Sequence, residues 1–269
     1  MTDFTGIFEN GYSIIDFSNT RCIRLIQDQI KLLFKSDPIE FHQKEMEDEQ
    51  RLNLIKQAQD RLTETDIVKN LLSDNSECIK SLIGPDVDIQ TGLYLRVSRP
   101  NIEGDLIDWH RDTFYGNSHW ELNFWLPIFP LEEGAGLMLA EGSHLISPNN
   151  VHYIQDKNLF RQQVTKGSVA SQLGFQYAPK SEEAITHMDM STVRLIRPKV
   201  GQAVLFFGHI VHRAQNFSAK TRVSIDVRIK HMLAPTSTKA GYYQPLFRSE
   251  ITRCIEKMNL IEKGVFCGN

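Results

Sequence analysis

The amino-acid sequence predicts a mainly β fold, a β-sandwich or jelly roll with helical flanks (α+β), and three observations predict it. Residues Arg222 to Ile229 alternate strictly, with Val223, Ile225, Val227 and Ile229 set against Arg222, Ser224, Asp226 and Arg228. A period of two belongs to a strand with one face buried. Trp120 to Ile128 repeats the pattern, with Leu122, Phe124 and Leu126 on one face and Glu121, Asn123 and Trp125 on the other. Between about residues 90 and 230 such runs are joined by turn residues (Pro100-Asn101, Gly134 and Gly136, Gly201), the texture of strands folded into packed layers.

The elements follow in order. Gly11 to Phe17 reads as a short strand, and Ser18-Asn19-Thr20 can cap the helix in which Ile23, Ile26, Ile30 and Leu33 recur; Asp37-Pro38 ends it. Residues 44–62 are highly charged but keep one apolar edge through Leu52, Ile55 and Leu62, which predicts a solvated amphipathic helix. Thr65-Asp66 and Ser73-Asp74 can cap two short helices, the second stopped by Gly84-Pro85. Leu93 to Ser98 alternates as a strand, Leu137-Met138-Leu139 follows a glycine turn, and Ala203 to Phe207 reads as a buried strand. Pro127 falls near the end of its strand, where a missing donor matters least. Residues 145–192 have mixed polarity and little periodicity, as a lid-like insertion would. Ile251, Cys254, Ile255 and Met258 return to helical spacing. Nothing reads as a linker. The expectation is one domain over 1–269: a mainly helical flank over 1–88, a jelly-roll core over 89–230 and a C-terminal helical tail over 231–269.

Composition bounds the function. With 269 residues, 41% hydrophobic, the chain can bury a core without metal or disulfide staples. Thirty basic and 33 acidic residues give a net charge of −3 and no reason to expect nucleic acid or an anionic membrane as partner. Cys22, Cys78, Cys254 and Cys267 form no Cys-x-x-Cys pair, so reduced thiols are expected and a disulfide framework is not. The start, Met1-Thr2-Asp3-Phe4, lacks a basic region followed by an apolar run, and no apolar run approaches the ~18 residues of a membrane helix. A cytoplasmic protein is the expectation.

The chemistry centres on Trp109-His110-Arg111-Asp112. On an extended strand His110 and Asp112 would share a face while Arg111 points away. With one more histidine they form a two-His, one-carboxylate set, which leaves open positions on a metal and marks non-haem Fe(II) oxygenases. His212, after the buried strand 203–207, is the candidate third ligand, and His209 its rival. Ten residues later Arg222 can fork onto a dicarboxylate, with the Ser224 hydroxyl beside it. Trp109 and Arg111 are read as packing or surface residues.

Further residues carry a family resemblance. Gly136 to His144, ending in Gly142-Ser143-His144, follows His110-Arg111-Asp112 and precedes Gly201, Phe206, His212, Asn216 and Arg222 in that order. With the opening Phe8 to Ile15, this resembles the phytanoyl-CoA dioxygenase family of Fe(II)/2-oxoglutarate oxygenases over roughly residues 8–230. Glu141, Gln202 and a shorter His212-to-Asn216 spacing depart from the family's usual pattern. The resemblance implies a double-stranded β-helix of the cupin-like kind. It implies that His110, Asp112 and His212 bind Fe(II), and that Arg222 and Ser224 hold the far carboxylate of 2-oxoglutarate. Asn123 and Trp125 would line the cosubstrate pocket, and His144 would be structural. O2 is the third reactant, and succinate and CO2 are released. Tyr94, Arg96, Ser98 and Arg228 are substrate-side candidates, suited to a charged or hydroxylated small molecule such as a sugar derivative or an amino-acid-like compound. Asp112 argues against halogenation, which needs a small residue there. Hydroxylation is the expected outcome; desaturation or epimerisation at the same centre, or a non-catalytic jelly-roll binding protein, are the alternatives. Oligomeric state is not legible.

Overall fold

The structure is a computed structural model and describes residues 4–115, 117–146, 184–185, 188–236 and 241–258. Ten described strands pair antiparallel throughout: β1 (Tyr12–Asp16), β2 (Val87–Gln90), β3 (Tyr94–Ser98), β4 (Leu122–Pro127), β5 (Ala135–Ala140), β6 (Val193–Ile196), β7 (Gln202–Phe207), β8 (His212–Asn216), β9 (Arg222–His231) and β10 (Tyr243–Phe247). The major sheet runs β1-β7-β4-β9-β2-β10, with β3 also paired to β9; the minor sheet runs β6-β5-β8. This is the jelly roll that the alternating runs predict.

Alternation sorts the major sheet's two faces as expected. Val223, Ile225, Val227 and Ile229 of β9 and Leu122, Phe124 and Leu126 of β4 join one core. The same core takes Ile23, Ile26, Ile30 and Phe34 from helix α2 (Arg21–Phe34), Leu62 from α3 (Asp48–Glu64) and Leu71 and Leu72 from α4 (Ile67–Asp74). The helices therefore cover the outer face, where full burial of each large apolar side chain contributes about 1.5–3 kcal/mol. The inner face meets the minor sheet through a smaller core that includes Trp125, Val204 and Phe206 opposite Leu137, Leu139 and Ile196. The same face of β3, β4 and β9 carries the polar residues Arg96, Ser98, Asn123, Arg222, Ser224 and Arg228.

Several expectations need correcting. Helix α2 ends at Phe34, where Lys35 turns left-handed (φ 51°); Asp37-Pro38 instead opens a 3-10 turn, with the Asp37 carboxylate accepting from Ile39 N. The break between α4 and α5 (Ser76–Ile83) falls at Asn75, whose buried amide donates to Leu71 O and Asn19 O. The tail is not wholly helical: β10 pairs with β2 before the last helix, α6 (Glu250–Lys257), begins. In α6 the apolar spacing does not mark a buried face, since Ile251 is 74% exposed. The lid-like stretch of 145–192 and Cys267 lie largely or wholly outside the described residues. No helix among the described residues is long and apolar enough to cross a membrane.

The first helix, α1 (Thr5–Asn10), ends at Gly11 with φ 90°, and a Cβ there would stand 2.6 Å from His144 Nδ1 and 2.8 Å from Ile210 Cδ1. Gly11→Ala combines a left-handed backbone with two clashes; chemical denaturation is expected to show a loss of about 1–3 kcal/mol or more.

Candidate metal centre

His110 lies outside any regular strand. It exchanges both backbone hydrogen bonds with His212, the first residue of β8: His110 N donates to His212 O at 3.0 Å, and His212 N to His110 O at 2.9 Å. This bridge sets the two imidazoles side by side, ring centroids 4.2 Å apart. The chain then leaves extended geometry. Asp112 opens a 3-10 turn (Asp112–Tyr115), and its amide donates to Gly208 O at 2.8 Å. His110 and Asp112 therefore do not share a strand face, as their spacing predicts; they converge because a bridge and a turn aim them together.

Each imidazole is oriented from behind. His110 Nδ1 lies 2.6 Å from Asp108 O, and His212 Nδ1 lies 2.9 Å from Ile210 O. A carbonyl only accepts, so both Nδ1 atoms carry a proton, and each ring turns its Nε2 toward Asp112. The two Nε2 atoms stand 3.5 Å and 3.9 Å from Asp112 Oδ1. Burial, then the neighbouring His110, pushes His212 down to about 3, so it is neutral at physiological pH. One ligand-type atom from each of His110, Asp112 and His212 lies within 4.8 Å of the others, and all three residues are buried. Donors at right angles on one ion, with bonds of about 2.1 Å, stand about 3 Å apart. The observed set is slightly wider and fits a divalent ion with positions left open.

Asp112 divides its oxygens. Oδ1 faces the histidines; Oδ2 accepts from Asn123 Nδ2 at 2.6 Å and from Arg228 Nη2 at 2.9 Å. Burial alone would raise this carboxyl. Arg228 foremost, with His110 and His212, outweighs burial and holds it well below the usual range. A carboxylate so placed is ionised and offers one oxygen outward.

The same inner face carries an anion site. Arg222 is buried, donates through Nη2 to Ser98 Oγ at 2.7 Å, and leaves Nε and Nη1 without a partner. Ser224 Oγ, two residues along β9, is likewise buried and unpaired. Among the described residues no carboxylate lies within ion-pair distance of Arg222, although Asp226 acts on it from farther off; its guanidinium lies over the Trp125 ring at 5.6 Å. Burial lowers it to about 10, so it remains charged. A buried guanidinium with idle donors is costly until an anion meets it. A carboxylate between Nε, Nη1 and Ser224 Oγ is the group that fits.

The remaining expected residues fall as follows. Ser98 sits behind Arg222, and Trp125 packs beneath it. Asn123 braces Asp112. Arg228 lies against Asp112 as well and touches Gln90 Oε1 (3.3 Å) and Tyr242 Oη (3.4 Å), so it is engaged behind the carboxylate instead of being left for substrate. His209 stays out of the cluster, its Nδ1 2.9 Å from Thr113 Oγ1. His144 is a support: its Nε2 donates to Phe8 O and its ring stacks on Phe207. Ser143 is another, since its buried Oγ accepts from Val211 N at 2.8 Å and so holds the residue before His212. Asn216 ties β8 to β3 by donating to Ser98 O. Arg111 is neither surface nor simple packing: it is buried and donates to His209 O and Ile146 O, fixing both loops beside the site. Gln90 and Tyr242, which support Arg228, sit on or beside strands too short to read from sequence.

Residues 24–224, about three quarters of the chain, match the phytanoyl-CoA dioxygenase (PhyH) family. The chain belongs to that family. Membership bears out the resemblance and carries with it the expected enzyme class, 2-oxoglutarate-dependent and based on non-haem iron. The chain is also similar to solved structures. One is a non-heme monooxygenase, ThoJ, in its apo form: 13% identity, TM-score 0.57, covering 91% of this chain and 83% of that one. Another is EvdO2 from Micromonospora carbonacea var. aurantiaca complexed with 2-oxoglutarate: 13%, 0.51, 90% and 95%. A third is the non-heme alpha ketoglutarate dependent carbocyclase SnoK from nogalamycin biosynthesis: 12%, 0.52, 89% and 93%. At these identities the likeness is one of fold. No curated protein matches the sequence.

Two expected outcomes follow from the bracing. In Arg228→Met the largest influence opposing burial at Asp112 is removed, so its carboxyl protonates at higher pH. Metal binding needs the ionised form, so the pH below which Co(II) absorption is lost should rise, with affinity at neutral pH down about 10- to 100-fold. Ser143→Ala strands a buried amide; equilibrium unfolding should register a cost of about 1–3 kcal/mol, and Co(II) titration a weaker site.

Proposed function

We propose that the chain is an Fe(II)- and 2-oxoglutarate-dependent dioxygenase that hydroxylates a small organic molecule. One observation carries this reading: three buried metal-ligand side chains and a buried arginine–serine pair with idle polar atoms lie on the same inner side of the major sheet. A metal-binding scaffold alone has no use for the second feature. His110 Nε2, Asp112 Oδ1 and His212 Nε2 would hold the iron, and Arg222 with Ser224 the far carboxylate of 2-oxoglutarate. When bound, the iron and its cosubstrate supply oxygen activation, with loss of succinate and CO2.

The chain's own residues do the positioning. Asp108 O and Ile210 O fix the ring tautomers. Asn123 and Arg228 occupy Asp112 Oδ2, which favours coordination through one oxygen and keeps positions open for cosubstrate and O2. Phe206, edge-on to His212, and Trp125, beneath Arg222, would give the site apolar walls. Desaturation and epimerisation would use these same residues and differ only in where the substrate's C–H bond lies.

Anaerobic titration tests the reading. Fe(II) plus 2-oxoglutarate should develop a visible metal-to-ligand charge-transfer band; its absence sinks the proposal. Arg222→Leu should still bind Fe(II) but weaken 2-oxoglutarate by about 10- to 100-fold, the scale of a lost charged hydrogen-bond pair. His212→Ala should lose the iron, and His209→Ala should keep it.

A further inference from the structure

We infer that Arg96 and Asp226 form the substrate's docking point and that the substrate presents an amino-acid-like head there, a carboxylate with an ammonium beside it. The inference rests on the proposed function, because it places this pair beside that site's iron and cosubstrate.

Position comes first. Register sets Arg96 directly opposite Ser224, and Asp226 between Tyr94 on β3 and Trp125 on β4. Alternation puts all of these side chains on the inner face, since Leu95, Val97, Ile225 and Val227 fill the outer core. Asp226 lies midway along β9 between Ser224 of the anion site and Arg228 behind Asp112. Exposure then separates the tiers. Ser98, Arg222 and Ser224 are buried, whereas the Arg96 and Asp226 side chains are 32% and 25% exposed. The buried tier suits a cosubstrate held deep, and the partly exposed tier reaches solvent through Arg96 and the rest of the Asp226 side chain, with Asp226 Oδ1 just beneath.

Orientation comes second. Arg96 Nε donates to Asp226 Oδ2 at 2.8 Å, and the guanidinium lies 4.8 Å over the Tyr94 ring. Both contacts fix the plane of the guanidinium in advance, which lowers the entropy lost when a ligand binds. Neither Nη has a partner among the described residues. Asp226 Oδ1 is buried and has none either. The inner face's other two arginines differ: Arg222 is sealed in the anion site, and Arg228 is committed to Asp112.

Chemistry then selects the ligand. The idle Nη edge donates to a carboxylate through two parallel bonds. Asp226 Oδ1 needs a donor, and a cationic one satisfies it best. A simple acid would set its charge beside Asp226 unrelieved, and a simple amine would leave the Arg96 edge idle. A zwitterionic head satisfies both and adds no net charge to a partly desolvated site.

The test uses the full-length protein with Zn(II) in place of iron and saturating 2-oxoglutarate, so that nothing turns over. The standard L-amino acids are titrated by calorimetry and thermal shift, each beside its primary amide, which lacks the carboxylate, and its N-acetyl form, which lacks the ammonium. At least one amino acid should bind about tenfold or more tighter than both derivatives. Arg96→Gln should erase the preference over the amide, and Asp226→Asn the preference over the N-acetyl form; Arg96→Lys, which keeps the charge but not the fork, should fall between. If no amino acid is preferred while 2-oxoglutarate binds normally, this inference fails and the functional reading stands. If wild-type protein does not bind 2-oxoglutarate, the functional reading itself fails. Should Arg96→Gln or Arg96→Lys lose 2-oxoglutarate instead of the amino acid, Arg96 belongs to the cosubstrate and the inference is overturned.

Discussion

The Asp112 carboxylate is the joint on which the site depends. One oxygen faces two histidines; the other is held by Arg228 and Asn123 from the centre of the major sheet. A carboxylate as buried as this one stays ionised chiefly because a cation, Arg228, is fixed beside it. That cation comes from β9, the strand that pairs with β2, β3 and β4. The loop that carries Asp112 is thus registered against the most connected strand in the fold, and the chemistry inherits that strand's rigidity.

Strand β9 gives its two inner arginines opposite fates. Arg228 meets a carboxylate within the chain and becomes part of the frame. Arg222, six residues earlier, meets Ser98 Oγ and the face of Trp125, and no carboxylate among the described residues pairs with it. Arg222 is buried and the Arg228 side chain is only 11% exposed, so the difference lies in the partner each lacks or has. An arginine sealed in protein with half its donors idle is a standing cost, and a binding site is the setting in which such a cost is retained.

The Gly142-Ser143-His144 stretch acts one step back from the chemistry. Ser143 holds Val211, and His144 packs beside Gly11 and bonds to Phe8 O, so the motif clamps the loop that delivers His212 to the chain's opening turn. Residues that look like chemistry by type, a serine and a histidine, serve here as hydrogen-bonding struts. The distinction follows from where their polar atoms go: both end on backbone groups, away from the His110–Asp112–His212 cluster.

Much of this was legible in the sequence. The period-two runs of β4 and β9 determined which side chains face the helical core and which face inward, because alternation is a local consequence of strand geometry. That logic placed Asn123, Trp125, Arg222 and Ser224 on one surface before any pairing was known. Short strands such as β2, β6 and β8 were not legible: four or five residues give too little periodicity, and β8, His-Arg-Ala-Gln-Asn, is polar because it borders the site. Tertiary structure alone decided the rest. His212, and not His209, lies beside His110 because a backbone bridge across 102 residues of chain pairs the two. Arg228 turned from a substrate candidate into a brace, and Arg96 was left as the half-exposed arginine, because register sets which inner-face charges lie close enough to neutralise each other. Sequence carries the local period; the long-range pairings that assign each charge its partner exist only once the sheets have closed.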